Sequence, residues 1–235
     1  MTSLFELPGC PQVPVDGSMN TFPVGRIFCV GRNYAEHARE MGMDPDREAP
    51  FFFTKFPGAV EVGDSVLPYP PGTENYHYEA ELVIAIGGEG VCVAGEQAAA
   101  LIFGYAVGLD MTRRDLQLEA REKGRPWDFG KNFAHSAPIS SIRPTSKHGH
   151  VEAGAIRLTV NGDVKQEADI GDLIWNCREV VSYLSRFERL MPGDLIYTGT
   201  PAGVGAVSPG DCIEVTIDGL QPLTVNIAER DKAFT

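Results

Sequence analysis

Residues 77–86 read HYEAELVIAI and join two acidic side chains to an unbroken apolar run. The run has the length and composition of a buried strand. Side chains two apart on a strand share a face, so Glu79 and Glu81 project together, while Leu82 and every second residue after it point into the opposite layer. Two like charges held this close repel each other, and a hard divalent cation relieves the repulsion. The alternative is a solvated Glu-x-Glu pair on an exposed edge strand.

Short apolar runs separated by glycine and proline make up the rest of the chain, which has 26 Gly and 17 Pro in 235 residues. Strand composition recurs in IFCVG (27–31), FFFTKF (51–56), IRLTV (156–160), LIYTG (195–199) and CIEVTI (212–217). The pairs Asn161-Gly162 and Asp218-Gly219 stand between such runs, as hairpin turns do. Strands do not alternate regularly with helices, so a doubly wound parallel sheet is disfavoured. We expect a β-dominated α+β fold.

Four helices are predicted in this fold. The first begins at Asn33 as N-cap and runs to about residue 41, and the others cover about 95–103, 113–123 with Thr112 as cap, and 178–187. Residues 1–25 are rich in Pro and Gly and predict an extended arm over the surface or against a partner subunit, with residues 26–235 forming a single catalytic domain.

The composition of the chain limits which partners and which cellular location we expect. The net charge of −12 repels phosphate backbones and anionic membranes, so nucleic acid is not an expected partner. No apolar stretch approaches the roughly 20 residues that span a bilayer, and the start lacks a signal-like pattern, so we expect a cytoplasmic protein. The five cysteines are scattered and never spaced as CxxC, which indicates reduced thiols.

A third acidic residue follows in GYAVGLDMT, residues 104–112. Ala106 and Gly108 share the face of Asp110 and leave space beside it, so this carboxylate would complete a metal site for Mg²⁺, with Mn²⁺ or Ca²⁺ as alternatives. The competing interpretation is that Asp110 caps the following helix.

A possible base lies on the first predicted helix. His37 and Glu40 are three residues apart, so they share a face and can hydrogen-bond. A histidine oriented by a carboxylate can activate water. Viewed in isolation, the pair could equally be a surface His beside a solvated Glu.

Cationic and polar residues are the remaining candidates. Arg114 and Gln117 share a face of the helix that begins just after Asp110 and could contact whatever binds there. Lys55 is flanked by aromatic residues, and Lys131 lies in the small-residue loop GKNFAHSAP. Each of the four could instead be an ordinary surface residue.

Together these segments resemble the fumarylacetoacetate hydrolase family. The matching pieces occur in family order: GRNYAEHARE (31–40), HYEAEL (77–82), GLDMTRRDLQ (108–117), GKNFAHSAP (130–138) and GDLIYTGTPAGVG (193–205). The resemblance implies a mixed β-sandwich roll of the family's C-terminal-domain type with a few short helices, and a homodimer. Residues 29–34 hold no carboxylate where full-length fumarylacetoacetases have a further acidic ligand. The compact acylpyruvase branch is therefore the better match.

The resemblance also implies a role for each residue of this chain that matches a functional position of the family. The resemblance implies Glu79, Glu81 and Asp110 as metal ligands, His37 and Glu40 as the water-activating pair, Lys131 as a lysine beside the keto acid, and Arg114, Gln117, Lys55 and Thr200 as substrate contacts. The expected reaction is hydrolysis of a C–C bond in an anionic 2,4-dioxo acid, with fumarylpyruvate yielding fumarate and pyruvate.

Two alternatives stay open at this point. One is an isomerase, hydratase or decarboxylase of a related keto acid, of the 2-hydroxyhepta-2,4-diene-1,7-dioate isomerase or oxaloacetate decarboxylase type. The other is a non-catalytic β-rich scaffold.

Overall fold

The computed structural model describes residue 4, residues 9–40 and residues 48–234, without the side chains of residues 38–40 and 234. The strands are β1 Gln12–Pro14, β2 Thr21–Pro23, β3 Arg26–Val30, β4 Phe52–Lys55, β5 Val60–Val62, β6 Ser65–Pro68, β7 Tyr76–Tyr78, β8 Ala80–Ile86, β9 Ile102–Leu109, β10 Thr112–Arg113, β11 Ala137–Ile139, β12 Arg143–Pro144, β13 Ala155–Val160, β14 Asp163–Asp169, β15 Asp194–Tyr197, β16 Gly205–Val207, β17 Cys212–Ile217 and β18 Leu223–Ala228. The helices are α1 Ala35–Glu40, α2 Glu96–Ala100, α3 Arg114–Glu122, α4 Asp128–Lys131, α5 Thr145–His148 and α6 Cys177–Leu184.

A large mixed sheet organises the molecule, with the strand order β4-β3-β15-β8-β9-β11-β5 and β12 paired to β9. A second sheet has the order β14-β13-β17-β18-β6, and the small sheet β10-β7-β16 lies at the beginning of β8. Most neighbours are antiparallel, whereas β15 with β3, β11 with β5 and β18 with β6 are parallel. The expected β-dominated α+β fold with a few short helices is confirmed.

The centre of the large sheet is buried on both faces. On β8, Leu82 and Ile84 pack into the larger apolar cluster, which also contains residues of β13, β17 and α6. Val83 and Ala85 pack into a second cluster on the opposite face. The alternation predicted for residues 82–86 is therefore confirmed, and both faces are apolar because each is covered by another layer.

Residues 9–25 contribute to the second cluster. They contain the hairpin of β1 and β2, in which Val13 pairs with Phe22, and both side chains are buried against the large sheet. Val15 forms a bridge to Ile142. The division into an arm at 1–25 and a domain at 26–235 stays a prediction, but the described part of the arm packs on the sheet like a further layer.

Two predicted helix caps are wrong. Asn33 is fully buried, and its side chain bridges loops by donating to the carbonyls of Trp175 and Thr198, each 2.8 Å away. Thr112 belongs to β10, and its hydroxyl donates to the carbonyl of Asp110. In both cases tertiary hydrogen bonds replace the local cap, because a buried polar side chain must find partners wherever the fold supplies them.

Gly108 sits at a crowded point of the large sheet. A Cβ there would lie 2.5 Å from Val83 Cγ2 and 2.7 Å from Tyr197 Cε1, both in the second apolar cluster. The lack of a side chain therefore allows β8, β9 and β15 to pack closely beside the acidic residues.

We expect Gly108→Ala to lower the free energy of unfolding by about 1–3 kcal/mol, because the added methyl overfills a packed layer. Urea denaturation followed by circular dichroism measures the change. Gly9→Ala is the control, since no atom lies within 4 Å of its added Cβ. Equal stability of the two variants would contradict this view of the packing.

Candidate active site

Three acidic side chains converge at the ends of β8 and β9. Glu81 is on β8 opposite Gly108, Glu79 precedes β8, and Asp110 follows β9. The amide of Asp110 donates to the carbonyl of Glu79 at 2.9 Å, so these two residues face each other across the strand pair. One carboxylate oxygen from each residue lies within 4.8 Å of the other two, and all three side chains are buried.

This trio fits a hard divalent cation. Its donors are all carboxylate oxygens, the ligands that Mg²⁺, Mn²⁺ and Ca²⁺ prefer. Among the described residues, Asp110 Oδ1 is buried and accepts no hydrogen bond, and Glu81 receives one from the amide of Gly199 at 2.8 Å. A buried carboxylate with so few donors has coordination capacity left for a metal ion.

Cations surround the trio unevenly. Lys131 Nζ donates to Glu79 Oε2 at 2.7 Å and to Asp110 Oδ2 at 2.6 Å, and the Arg114 guanidinium contacts Glu79 Oε1. Burial opposes ionisation of Glu79, but Lys131 and Arg114 outweigh it and hold its pKa well below the usual range. Burial, followed by the charges of Asp110 and Glu79, raises the pKa of Glu81 well above its usual value. Glu81 is thus the carboxylate with the most to gain from a metal.

The trio adjoins an open cavity with about 610 Å³ of empty space. Seven predicted site residues line it: His37, Glu79, Glu81, Arg114, Gln117, Lys131 and Thr200. The tertiary fold therefore brings residues from α1, β8, α3, α4 and the loop after β15 to one place. Such convergence of polar groups in one cavity is typical of a binding or catalytic site.

Helices α3 and α4 position two of these side chains. Gly130 lies so close to α3 that a Cβ would be 2.7–2.8 Å from Gln117 atoms, including backbone atoms. This close approach brings Lys131 beside the acidic trio. Burial works to lower the pKa of Lys131, but Asp110 and Glu79 raise it, so this buried side chain remains an ammonium.

Lys55 differs from the other candidates, because it is not among the described residues of the cavity wall. Its ammonium donates to the carbonyls of Met111 and Lys131 and to Ser136 Oγ, which uses all three protons. The 2.9 Å contact with Asp110 Oδ1 is therefore an ion contact without hydrogen-bond geometry. The role of Lys55 as a substrate contact stays a prediction; the geometry suits it better to supporting the end of α4, where Lys131 is the last helical residue rather than a loop residue as predicted.

Thr200 and His37, two further predicted site residues, both lie at the cavity wall. Thr200 lines the cavity and accepts a hydrogen bond from Gln166 Nε2 at 2.9 Å, so its hydroxyl proton is available to another acceptor. His37 is buried at the cavity wall. The side chain of Glu40 lies outside the described residues, so the His37–Glu40 pair stays a prediction.

Several wall residues were not predicted. They are the aromatic side chains Phe51, Phe53 and Trp127 and the arginines Arg32 and Arg121. Trp127 packs edge-on against Phe51, with ring centroids 5.4 Å apart. One signal in the sequence was available for Arg121, which is seven residues after Arg114 and so on the same face of α3.

A mixed β-roll with a buried carboxylate trio beside a polar cavity defines a metal-dependent enzyme architecture, and comparison with known proteins assigns the family. The model for the fumarylacetoacetate (FAA) hydrolase C-terminal domain matches residues 26–228. The chain belongs to the fumarylacetoacetate hydrolase family.

Individual relatives show which members of the family this chain resembles. A fumarylpyruvate hydrolase from Ralstonia is 51% identical over 185 residues, which is 79% of this chain and 96% of that protein. The crystal structure of fumarylpyruvate hydrolase from Pseudomonas aeruginosa in complex with Mn²⁺ and pyruvate has a TM-score of 0.96 at 53% identity, covering 97% of this chain and all of the other. The human mitochondrial oxaloacetate tautomerase FAHD1 is 40% identical over 203 residues, 86% of this chain and 90% of that protein.

Replacing Glu81 tests the trio as a metal site. In metal-free protein we expect Glu81→Gln to be at least as stable as wild type, because burial beside Asp110 and Glu79 already disfavours a charge at this position and the amide carries none. With Mn²⁺ added, wild type should gain more in melting temperature, since each tenfold loss of affinity removes up to about 1.4 kcal/mol of ligand-linked stability. Thermal melts with EDTA or Mn²⁺ measure both effects. Glu119→Gln on the exposed side of α3 is the control, and an undiminished Mn²⁺ response in Glu81→Gln would refute the assignment.

Proposed function

We propose that this protein is a metal-dependent acylpyruvate hydrolase that cleaves fumarylpyruvate to fumarate and pyruvate. The observation that carries the proposal is that Glu79 and Glu81 of the acidic trio, His37 and Lys131 line a single cavity, with Asp110 directly behind the two glutamates. The similarity to two fumarylpyruvate hydrolases, one of them solved with Mn²⁺ and pyruvate, supports the choice of substrate.

Glu79, Glu81 and Asp110 would hold the metal, which we propose to be Mg²⁺ in the cell. When bound, a divalent cation supplies Lewis acidity and a positive field for an anionic keto acid. Within the chain, Arg114 already contacts Glu79, and Gln117 Oε1 accepts a hydrogen bond from Arg114 at 3.1 Å. These two side chains therefore present an ordered polar surface to the keto-acid end of the substrate.

His37 acts as the base in this proposal. It accepts a proton from water, whose oxygen adds to the 4-carbonyl carbon of the substrate. The bond between C3 and C4 then breaks, its electron pair passes to the pyruvate fragment as an enolate, and protonation at C3 completes the products. Lys131 stays protonated and stabilises the negative charge that develops on that fragment. Glu40 would orient His37.

A second function is favoured by the 40% identity to the human oxaloacetate tautomerase. Decarboxylation of a keto acid requires stabilised enolate charge but no attacking water, whereas tautomerisation moves a proton between carbon and oxygen and needs a base of its own. Hydrolysis and decarboxylation therefore differ in their dependence on His37 rather than in the acidic trio.

We further propose a cytoplasmic homodimer acting on small anionic keto acids. The basis is the family resemblance together with the net charge of −12, which disfavours nucleic acid and anionic membranes as partners. None of the helices in the described part of the chain has the length and apolar character to cross a bilayer.

Turnover of fumarylpyruvate with Mg²⁺ tests the proposal directly. We expect loss of the substrate's enol absorbance and formation of fumarate and pyruvate in equal amounts. Protein stripped with EDTA should be inactive and should recover on addition of Mg²⁺ or Mn²⁺. No turnover of any acylpyruvate with any divalent metal would favour the scaffold alternative.

His37→Ala separates hydrolysis from decarboxylation. We expect it to lower kcat for fumarylpyruvate by about 10²–10⁴-fold, the usual contribution of a general base, while leaving oxaloacetate decarboxylation largely intact. His148→Ala, at an exposed position of α5, is the control. Equal loss of both activities in His37→Ala would contradict the role of His37 as the hydrolytic base.

A further inference from the structure

The cations of the cavity wall are not equally compensated. Lys131 is paired with Glu79 and Asp110, and Arg114 with Glu79. Arg32 lies 3.4 Å from Glu48. Arg121 also lines the cavity, and it forms no ion pair or side-chain hydrogen bond with the rest of the described chain. In a chain of net charge −12, an uncompensated guanidinium in a cavity is a local attraction for a substrate anion.

Helix α3 sets the spacing between this arginine and the inner end of the site. Arg114 and Arg121 are seven residues apart, about 10 Å along the helix axis at 1.5 Å per residue. Arg114 is buried against Glu79, whereas Arg121 is only partly buried, so the two mark the inner and outer ends of one wall. Six bonds separate the terminal carbons of fumarylpyruvate, an extended length of about 7.5 Å on the scale of 3.8 Å per three bonds. That length is shorter than the axial rise between the two arginines, so one extended substrate can lie along this wall with its two ends near different arginines.

The wall beside Arg121 suits a planar unsaturated arm. Trp127 lies against Phe51 and Phe53, with ring centroids 5.4 and 5.9 Å apart, and all three rings line the cavity. Aromatic faces pack well against a flat conjugated chain, and the only hydrogen-bond donor of these three side chains is the neutral indole N–H of Trp127. A terminal carboxylate on that arm finds a charged, bidentate donor in Arg121 at the rim.

We infer that Arg121 is the specificity-determining residue that binds the distal carboxylate of the acyl arm, and so selects dicarboxylic over neutral-tailed acylpyruvates. The inference rests on the proposed hydrolase function and names a residue that sequence analysis did not assign. Arg114, Gln117 and Lys131 hold the common keto-acid end, while Arg121 discriminates between tails.

Turnover by the metal-loaded enzyme provides the first test. Arg121→Met should lower kcat/KM for fumarylpyruvate by about 10- to 100-fold, mainly through KM, because one charge-assisted contact is lost. Acetylpyruvate, which lacks the second carboxylate, should change less than about threefold. Arg121→Lys should recover part of the loss. Lys123→Met removes one positive charge from the exposed end of the same helix and should affect the two substrates equally.

Binding without turnover provides the second test. With Mn²⁺ present, calorimetry compares 2-oxopimelate, a seven-carbon keto diacid lacking the cleavable 4-carbonyl, with 2-oxoheptanoate, its monoacid counterpart. Wild type should prefer the diacid by at least tenfold, and Arg121→Met should abolish the preference while retaining affinity for the monoacid and the Mn²⁺ thermal shift.

The two tests distinguish failure of the proposed hydrolase function from failure of the inference about Arg121. A diacid preference that requires Arg121 in a protein that does not hydrolyse fumarylpyruvate would refute the hydrolase function but uphold the carboxylate site. Absence of diacid preference in wild type, or its persistence in Arg121→Met, would overturn the inference, as would equal loss of both substrates in turnover.

Discussion

Crowding of negative charge controls this structure. Three carboxylates are buried within 4.8 Å of one another, an arrangement that costs free energy unless cations compensate it. Lys131 and Arg114 compensate Glu79, Lys131 and Lys55 flank Asp110, and Glu81 receives a backbone hydrogen bond. The remaining imbalance is relieved by a divalent metal, and the positive field that results suits an anionic keto acid.

The fold meets this requirement through close backbone approach. The acidic residues sit at the ends of central strands buried on both faces, where their small exposure limits screening by water. Gly108 lets neighbouring strands pack beside the trio, and Gly130 brings α4 against α3 so that Lys131 reaches the carboxylates. The amide of Gly199 then faces Glu81. Small residues at these positions are therefore part of the site, although none of their side chains does chemistry.

The inner end of the cavity, at Arg114 and Lys131, and the outer end, at Arg121, would contact different parts of the substrate. In the proposed mechanism the inner half stabilises charge on a keto acid, a demand shared by hydrolysis, tautomerisation and decarboxylation, and family relatives bear both hydrolase and tautomerase names. The proposed activation of water by His37 is needed for hydrolysis but not for decarboxylation. The outer half, with its aromatic rings and the uncompensated Arg121, acts on the acyl arm alone. Reaction type and substrate choice can therefore change independently within one scaffold.

The sequence by itself determined the features that depend on local periodicity: the β-dominated fold, the strand at 81–86, the shared face of Glu79 and Glu81, and the pairing of Arg114 with Gln117 on one helix. Motifs in family order identified half of the described cavity wall, including its polar inner end. Only the tertiary structure decided which polar groups meet across long separations. It placed Asn33 between two loops instead of at a helix cap, placed Lys55 against the end of α4, and joined Trp127 and Arg121 to the cavity. The reason is physical: strand and helix periods set which side a residue faces, whereas its partners are set by how distant layers pack.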